Sequence, residues 1–172
     1  FTDRRQRQMC IRDSFKILPD MFEIWMKILK KVKNSVIWLL IDNETAQNNL
    51  KKILVSNDID PNRMIFAGRL PHSEHIIRLG LADLFLDTFP CNAHTTASDA
   101  LRSSLPIITI KGNSFASRVA SSLLSSVGLE ELITKSGKEY EELAVKIAEN
   151  KNFYKEIKDK LKKNIIDTVS YT

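Results

Sequence analysis

The feature that most constrains the fold is an alternation of short apolar runs with longer amphipathic stretches, which starts at residue 35. The short runs are near-continuously apolar, as expected of strands that are covered on both faces of a sheet. They span residues 35–41, 63–67, 84–87 and 106–110. The amphipathic stretches between them span residues 45–57, 73–80, 95–103 and 115–125. This order predicts βαβ units and a parallel sheet, and therefore an α/β, doubly wound domain of the Rossmann-like class.

The two ends of the chain show different patterns. Residues 20–33, 139–150 and 152–164 have helical spacing and predict edge helices. Residues 1–13 fit neither the strand period nor the helix period, and we interpret them as a leader that is either non-native or disordered. Residues 14–172 are then one domain. Because the chain starts at Phe1, with neither an initiating Met nor an apolar signal segment, we expect it to be a fragment of a longer protein.

Length and cysteine usage place the chain among reduced globular proteins. With 172 residues, of which 43% are hydrophobic, it can bury a core without disulfides or a structural metal. Cys10 and Cys91 are far apart and show no metal-ligand spacing, which suggests free thiols in a reducing compartment. No apolar run approaches the roughly 18 residues that a membrane span requires. We therefore expect a cytoplasmic protein without a membrane partner.

The net charge of +5 raises the question of nucleic-acid binding. Binding to phosphate backbones needs lysines and arginines that cluster on one face. Here many of the lysines lie in predicted helices, where they alternate with apolar core positions. We interpret them as solvated helix faces and expect no nucleic-acid partner.

Ligands of an open parallel sheet bind beyond the carboxyl ends of its strands. The most informative loop there is residues 87–96, where a helix starts at Thr95 and Thr96. Free N–H groups of a first helical turn, together with the helix dipole and the two hydroxyls, favour an anion such as phosphate. His94 beside them could neutralise or hydrogen-bond that phosphate. The alternative is that Thr95 or Thr96 is an ordinary N-cap.

A second loop carries His72 and His75 one helical turn apart. Metal sites usually need a third ligand, and no HExxH motif is present, so a metal is not expected here. An imidazole at the carboxyl edge is better suited to stacking on a base, with Arg78 one turn further on. The alternative is a capped surface helix without a ligand.

The segment Asp58-Ile59-Asp60 matches the short DxD pattern that some glycosyltransferases use to hold a divalent cation. It lies between a predicted helix and a predicted strand, and Pro61-Asn62 follows it. This context favours a turn. We therefore expect neither a metal nor any other cofactor.

Two segments carry a resemblance to a known family. They are Leu86-Asp87-Thr88-Phe89-Pro90 with Asn92-Ala93-His94-Thr95-Thr96, and Lys111-Gly112-Asn113-Ser114-Phe115-Ala116-Ser117-Arg118. Over residues 16–164 the chain resembles the protein O-GlcNAc transferases, including the bacterial enzymes linked to tetratricopeptide repeats. The resemblance implies the C-terminal Rossmann-like half of a GT-B catalytic region. It also implies a nucleotide-sugar donor, UDP-GlcNAc, whose UDP is the product.

The resemblance also implies roles for individual residues. It assigns the diphosphate and catalytic electrostatics to Lys16, His94, Thr95 and Thr96. It assigns the rest of the donor site as follows: uridine beside the Leu70 backbone, His75 and Arg78, ribose on Asp99, and Cys91 near the acetamido group of the sugar. His72 stands where the family often has Lys, so its role in the donor site is open.

The reaction implied is an inverting, metal-independent transfer of N-acetylglucosamine to Ser or Thr of a protein. The acceptor protein would bind to helical repeats outside these residues, and the fragment alone is expected to be inactive. Two alternatives stay open. One is a related protein glucosyl- or fucosyltransferase, and the other is a non-catalytic nucleotide-binding or interaction module.

Overall fold

Six strands form one parallel sheet within residues 7–11, 17–41 and 43–169, which are the residues that this computed structural model describes. The strands are β1 (Arg7–Ile11), β2 (Ser35–Leu40), β3 (Met64–Ala67), β4 (Leu84–Leu86), β5 (Ile107–Ile110) and β6 (Ile133–Thr134). Their order across the sheet is β3-β2-β1-β4-β5-β6. Every neighbouring pair is parallel.

Helices connect and cover the strands. They are α1 (Pro19–Lys31), α2 (Glu44–Ser56), α3 (His72–Leu79), α4 (Thr95–Arg102), α5 (Val119–Ser126), α6 (Gly137–Glu149) and α7 (Lys151–Val169). Right-handed crossovers place α1 and α4 on opposite faces of the sheet, because the connections run outward in opposite directions from its centre. Helix α6 packs against α1, and α4 packs between α3 and α5. The prediction of a Rossmann-like doubly wound α/β fold is confirmed.

The core lies on both faces of the central strands. All residues of β4 and β5 are buried, which explains why their sequences are apolar without alternation. Helix α1 contributes Trp25, Ile28 and Leu29, which are completely buried at the helical spacing that the sequence predicts. No helix in the described part of the chain is long and apolar enough to cross a membrane.

Long side chains close the turns at the amino edge of the sheet. Arg63, just before β3, donates to the carbonyl oxygens of Leu29, Val32 and Ser35, each at 2.8 Å. It thereby satisfies carbonyl groups at the carboxyl end of α1, which the helix itself leaves without donors. Burial lowers the pKa of Arg63, and the nearby Asp60 acts in the opposite direction.

Helix α7 closes two further turns at this edge. Lys158 Nζ donates to the carbonyl oxygen of Ser104 at 2.6 Å, and Asn164 Nδ2 donates to that of Val127 at 2.7 Å. The second turn contains Gly128, whose φ of +66° is easily reached only by glycine. These contacts hold α7 against the amino edge of the sheet.

Three sequence-based element assignments need correction. The interpretation of residues 1–13 as a disordered leader is wrong at Arg7–Ile11, because β1 pairs with both β2 and β4 in the centre of the sheet. The two-residue strand β6 was not predicted, since it is too short to show a period. The predicted helix at residues 115–125 is a 3-10 turn at Phe115–Ser117 followed by α5. The hydroxyls of Ser114 and Ser117 cap that turn and separate it from the helix.

The sheet has a switch point between β1 and β4. From β1 the chain moves outward through β2 to β3, and then it returns to β4 and moves outward the other way. The crevice beyond the carboxyl ends of two such strands is where open α/β sheets bind ligands. The segment after β4 starts with Asp87, and residues 12–16, which follow β1, lie outside the described residues.

Candidate functional site

A buried carboxylate organises the loop after β4. Asp87 Oδ1 accepts the N–H of Thr88 at 2.9 Å and that of Ala93 at 2.7 Å, and Oδ2 accepts the hydroxyl of Thr109 at 2.6 Å. Asp87 is only 1% exposed. One side chain thus joins the beginning and the end of residues 87–93, which we call the Asp87 loop, and ties it to β5.

Further hydrogen bonds hold the interior of the Asp87 loop. The hydroxyl of Thr88 donates to the carbonyl of Cys91 at 2.6 Å, and Asn92 Nδ2 donates to the carbonyl of Thr88 at 3.0 Å. The Asn92 N–H donates to the carbonyl of Ala116 in the loop after β5. The peptide bond between Phe89 and Pro90 is cis. The hydrogen bonds thus fix the Asp87 loop internally and to the loop after β5, before the chain reaches α4.

Helix α4 begins without a side-chain cap. His94 is the N-cap residue, and its carbonyl accepts the N–H groups of Ala97 and Ser98. Thr95 and Thr96 are already helical, so the alternative that either one caps the helix is wrong. The N–H groups of the first two helical residues have no acceptor within the helix. We call this arrangement of His94, Thr95 and Thr96 the open start of α4, and it has the electrostatics of an anion site.

An aromatic side chain flanks the open start of α4. The imidazole of His94 is exposed, and it meets the ring of Phe115 edge to face, with centroids 6.1 Å apart. Phe115 itself is 75% exposed. Lys111 and Arg118, also exposed, belong to the same loop after β5 and line a cavity of about 720 Å³ with Phe115.

Helix α3 brings its polar residues to α4. His72 Nε2 lies 3.1 Å from Asp99 Oδ2, and Asp99 is buried whereas His72 is largely exposed. His75 is buried, and its Nδ1 lies 3.0 Å from a guanidinium nitrogen of Arg78. The same guanidinium donates to the carbonyl of Gly68 at 2.8 Å. The two histidines thus face different partners, and His72 bridges the two helices.

The remaining predicted site residues are distributed as follows. Leu70 is exposed in the connection between β3 and α3. Cys91 is a half-buried free thiol whose Sγ lies 4.0 Å from the carbonyl of Asn92. Lys16 lies outside the described residues.

The described residues contain no group of three or more His, Cys, Asp or Glu side chains that could hold a metal ion. The DxD match lies in the turn between α2 and β3, where Asp60 Oδ1 accepts the N–H of Asn62 at 2.9 Å. That turn precedes β3 and is therefore at the amino edge, away from the open start of α4. The interpretation of this segment as a turn is confirmed.

Sequence reasoning missed the residues that support the site. The hydroxyl of Tyr140 in α6 donates to the backbone carbonyl of Asp87 at 3.0 Å. Burial and, second, the charge of Asp87 raise the pKa of Tyr140 well above its ordinary value, while the side chain of Trp25 acts in the opposite direction. Asp87 could have been noticed as a carboxylate directly after a fully apolar strand, but nothing local marks Tyr140 or Thr109 as its partners.

The sheet order, with its switch point between β1 and β4, defines a doubly wound domain of the Rossmann-like class. A family model identifies the group within that class. Residues 9–171 match glycosyl transferase family 41, and the chain belongs to this family. The match begins at residue 9, inside the segment that the sequence pattern had indicated as a leader.

Individual relatives agree with that assignment. The chain is 39% identical over 133 residues to a UDP-N-acetylglucosamine–peptide N-acetylglucosaminyltransferase of Caenorhabditis elegans, covering 77% of this chain. It is 39% identical over 143 residues, 83% of this chain, to a probable UDP-N-acetylglucosamine–peptide N-acetylglucosaminyltransferase, SEC, of Arabidopsis thaliana. The chain spans only 12% and 15% of the lengths of these two relatives.

Similarity to a solved structure extends over almost the whole chain. A variant of the Thermobaculum terrenum O-GlcNAc transferase superposes with a TM-score of 0.90 at 23% identity. The match covers 96% of this chain and 32% of the other. At this identity the likeness establishes the fold.

Proposed function

We propose that this chain is the donor-binding half of a protein O-GlcNAc transferase, and that it binds UDP-GlcNAc at the switch point of its sheet. The observation that carries the proposal is the open start of α4. There, a helix begins at the carboxyl end of β4 with free N–H groups instead of a side-chain cap. Membership of glycosyl transferase family 41 supplies the class of ligand.

The diphosphate would lie against the open start of α4. The N–H groups of Thr95 and Thr96, their hydroxyls and the helix dipole all favour negative charge there. His94 is exposed beside them and can donate a further hydrogen bond. Lys16, which the family resemblance places at the phosphates, would add a positive charge from the loop after β1.

The nucleoside would occupy the space between α3 and α4. The buried Asp99 carboxylate is an acceptor suited to ribose hydroxyls, His75 is held by Arg78, and Leu70 in the preceding connection is exposed. His72 already contacts Asp99, so it would border the ribose and hold the orientation of that carboxylate. Cys91 would lie on the sugar side of the diphosphate.

The chemical contribution of this half would be to stabilise the leaving group. In an inverting transfer, the hydroxyl of the acceptor attacks the anomeric carbon and UDP departs with the bonding electrons. Preorganised donors at the diphosphate are worth most in that step, because negative charge grows there in the transition state. Such donors can act without a metal ion, so we propose metal-independent transfer.

We propose that the complete activity belongs to a longer protein. The relatives are several times longer than this chain. We propose that a second Rossmann-like domain and tetratricopeptide repeats supply the acceptor base and the binding surface for the protein substrate.

Calorimetric titration of the intact protein with UDP and GDP tests the nucleotide assignment. We expect UDP to bind and GDP to compete poorly, since uracil would be recognised in the space beside His75. UDP-GlcNAc should displace UDP, and UDP-glucose should do so less well. A preference for GDP, or no binding of any nucleotide, would contradict the proposed function.

A further inference from the structure

We infer that Asp87 and Thr109 are positioning residues for the anion-binding end of α4, acting through the buried hydrogen bonds of the Asp87 loop. The inference rests on the proposed function, because it concerns the same diphosphate. Neither side chain is available to a ligand, since Asp87 is 1% exposed and Thr109 is completely buried. They are therefore candidates for an indirect role only.

The first step of the inference is geometric. Thr109 donates from β5 to Asp87 Oδ2 at 2.6 Å, and this bond sets the orientation of the carboxylate. The other oxygen then accepts the N–H of Ala93 at 2.7 Å. Ala93 directly precedes His94, so the position of the open start of α4 relative to the sheet depends on this pair of bonds.

The second step is energetic. A buried carboxylate is costly unless several donors satisfy it, and here two backbone N–H groups and one hydroxyl do so. Loss of the Thr109 hydroxyl would remove a donor to Oδ2, and the carboxylate would turn toward another donor or toward water. Either movement releases the N–H of Ala93 and shifts the N–H groups of Thr95 and Thr96 away from the diphosphate.

The third step concerns the opposite side of the loop. Tyr140 donates from α6 to the backbone carbonyl of Asp87, and α6 packs against α1. Helix α1 follows the segment that contains Lys16. The Asp87 loop is thus held from β5 through Thr109 and from α6 through Tyr140, so both a neighbouring strand and a covering helix fix its position.

Two buried threonines on adjacent strands provide a matched test. Thr109→Val removes the hydroxyl that Asp87 accepts, and Thr134→Val removes an equivalent buried hydroxyl that donates to the backbone carbonyl of Thr109 at 2.9 Å. Thr109→Ser keeps the donor and loses only a methyl group. All three variants are made in the intact protein, and urea unfolding, UDP affinity, kcat and KM for UDP-GlcNAc are measured for each.

We expect Thr109→Val to weaken UDP binding by about tenfold or more. This is the effect of one lost hydrogen bond to the charged diphosphate, which the displaced N–H groups of α4 would no longer make. The KM for UDP-GlcNAc should rise with it. Thr109→Ser and Thr134→Val should bind UDP within about twofold of the original protein, even though Thr134→Val loses stability as Thr109→Val does. Tyr140→Phe should weaken UDP binding in the same direction as Thr109→Val.

Equal UDP affinity in Thr109→Val and Thr134→Val would overturn the inference, because loss of stability alone would then account for both. A loss of UDP affinity in Thr109→Ser as large as that in Thr109→Val would overturn it too. If the unaltered protein binds no UDP, the proposed function fails and this inference fails with it. That outcome is recognised in the first titration, before any variant is compared.

Discussion

At the amino edge of the sheet, long side chains from distant elements close the turns, whereas at the carboxyl edge the Asp87 loop leaves the start of α4 open. Arg63, Lys158 and Asn164 all donate to backbone carbonyls at the amino edge, so these turns keep few groups available for a ligand. At the carboxyl edge the buried Asp87 holds its loop from below. The N–H groups above it stay available. The amino edge is therefore built for stability. The carboxyl edge combines a rigid base, which is the Asp87 loop with its hydrogen-bond partners, and an unsatisfied rim, which is the open start of α4.

The largest expected effect is at the amino edge. Arg63→Ala removes the donor of three backbone carbonyls, so we expect the free energy of unfolding to fall by about 3 kcal/mol. UDP affinity should be unchanged well below the unfolding transition. Urea unfolding and calorimetry measure the two quantities. The control is Arg102→Ala, at an exposed arginine at the end of α4, which should change neither quantity.

A change in UDP affinity of Arg63→Ala would break the comparison, since it would couple the two edges. A loss of stability no larger than that of Arg102→Ala would mean that water replaces the guanidinium at no cost.

The base of the carboxyl edge should also carry stability. Tyr140→Phe leaves the buried carbonyl of Asp87 without this donor, and we expect a loss of about 2 kcal/mol near neutral pH. The loss should shrink in alkali. Because burial raises the pKa of Tyr140 in the folded state, the unfolded chain releases this proton first, from about pH 10 upward. The original protein should therefore lose stability above that pH faster than the Phe variant.

Urea unfolding at a series of pH values up to about 11 measures this difference, with the half-buried Tyr154→Phe as a matched control. Parallel pH curves for the original protein and Tyr140→Phe would contradict the assignment.

The rim of the carboxyl edge should affect binding without affecting stability. Thr95→Ala removes an exposed hydroxyl at the open start of α4, and we expect UDP affinity to fall by about tenfold, or about 1.4 kcal/mol. The free energy of unfolding should change by less than about 0.5 kcal/mol, since this hydroxyl does not cap the helix. Ser126→Ala, an exposed hydroxyl at the other edge, is the control.

If Thr95→Ala destabilises the protein as a lost N-cap would, the helix start is closed in solution and the division between the edges is wrong. If Thr95→Ala and Ser126→Ala bind UDP equally well, the hydroxyl of Thr95 does not belong to the site.

The smallest expected effect concerns α7. Asn164→Ala removes the donor to the Val127 carbonyl and should cost about 1 kcal/mol of stability relative to Asn152→Ala, an exposed position on the same helix. Using one helix for both variants cancels the gain in helix propensity from Asn to Ala. Urea unfolding of both provides the difference. Equal stabilities would show that α7 is held by its apolar face alone.

Most elements could be predicted because each carries its own local pattern. The strands at residues 84–86 and 107–110 are continuously apolar, and the helices repeat at the helical period. Strand β1 could not be predicted, because Arg7 and Gln8 occupy two of its five positions and interrupt the apolar pattern. Its central position in the sheet depends on β2 and β4, which come later in the sequence. The sequence pattern places the first strand at residue 35, but this strand is β2, the second strand along the chain.

Local sequence patterns mark the residues of the candidate site at the open start of α4, but not those that support the Asp87 loop below it. His94, Thr95 and Thr96 stand together in the sequence where a strand gives way to a helix, so a local pattern exposes them. The partners of Asp87 come from residues 22 and 53 positions away, and His72 meets Asp99 across 27. Such contacts depend on the strand order and on helix packing, neither of which a local pattern contains. The nucleotide and sugar came only from the family resemblance.

The central position of β1 has a consequence for synthesis of the chain. As the polypeptide leaves the ribosome, β1 can pair with β2 early, but its other side must wait for Leu84–Leu86. Until then the row of N–H and C=O groups facing β4 is an unpaired strand edge, the kind of surface that other nascent chains can extend. Slow translation between residues 41 and 84 would lengthen this interval, so we expect folding yield to depend on codon usage there more than after β5.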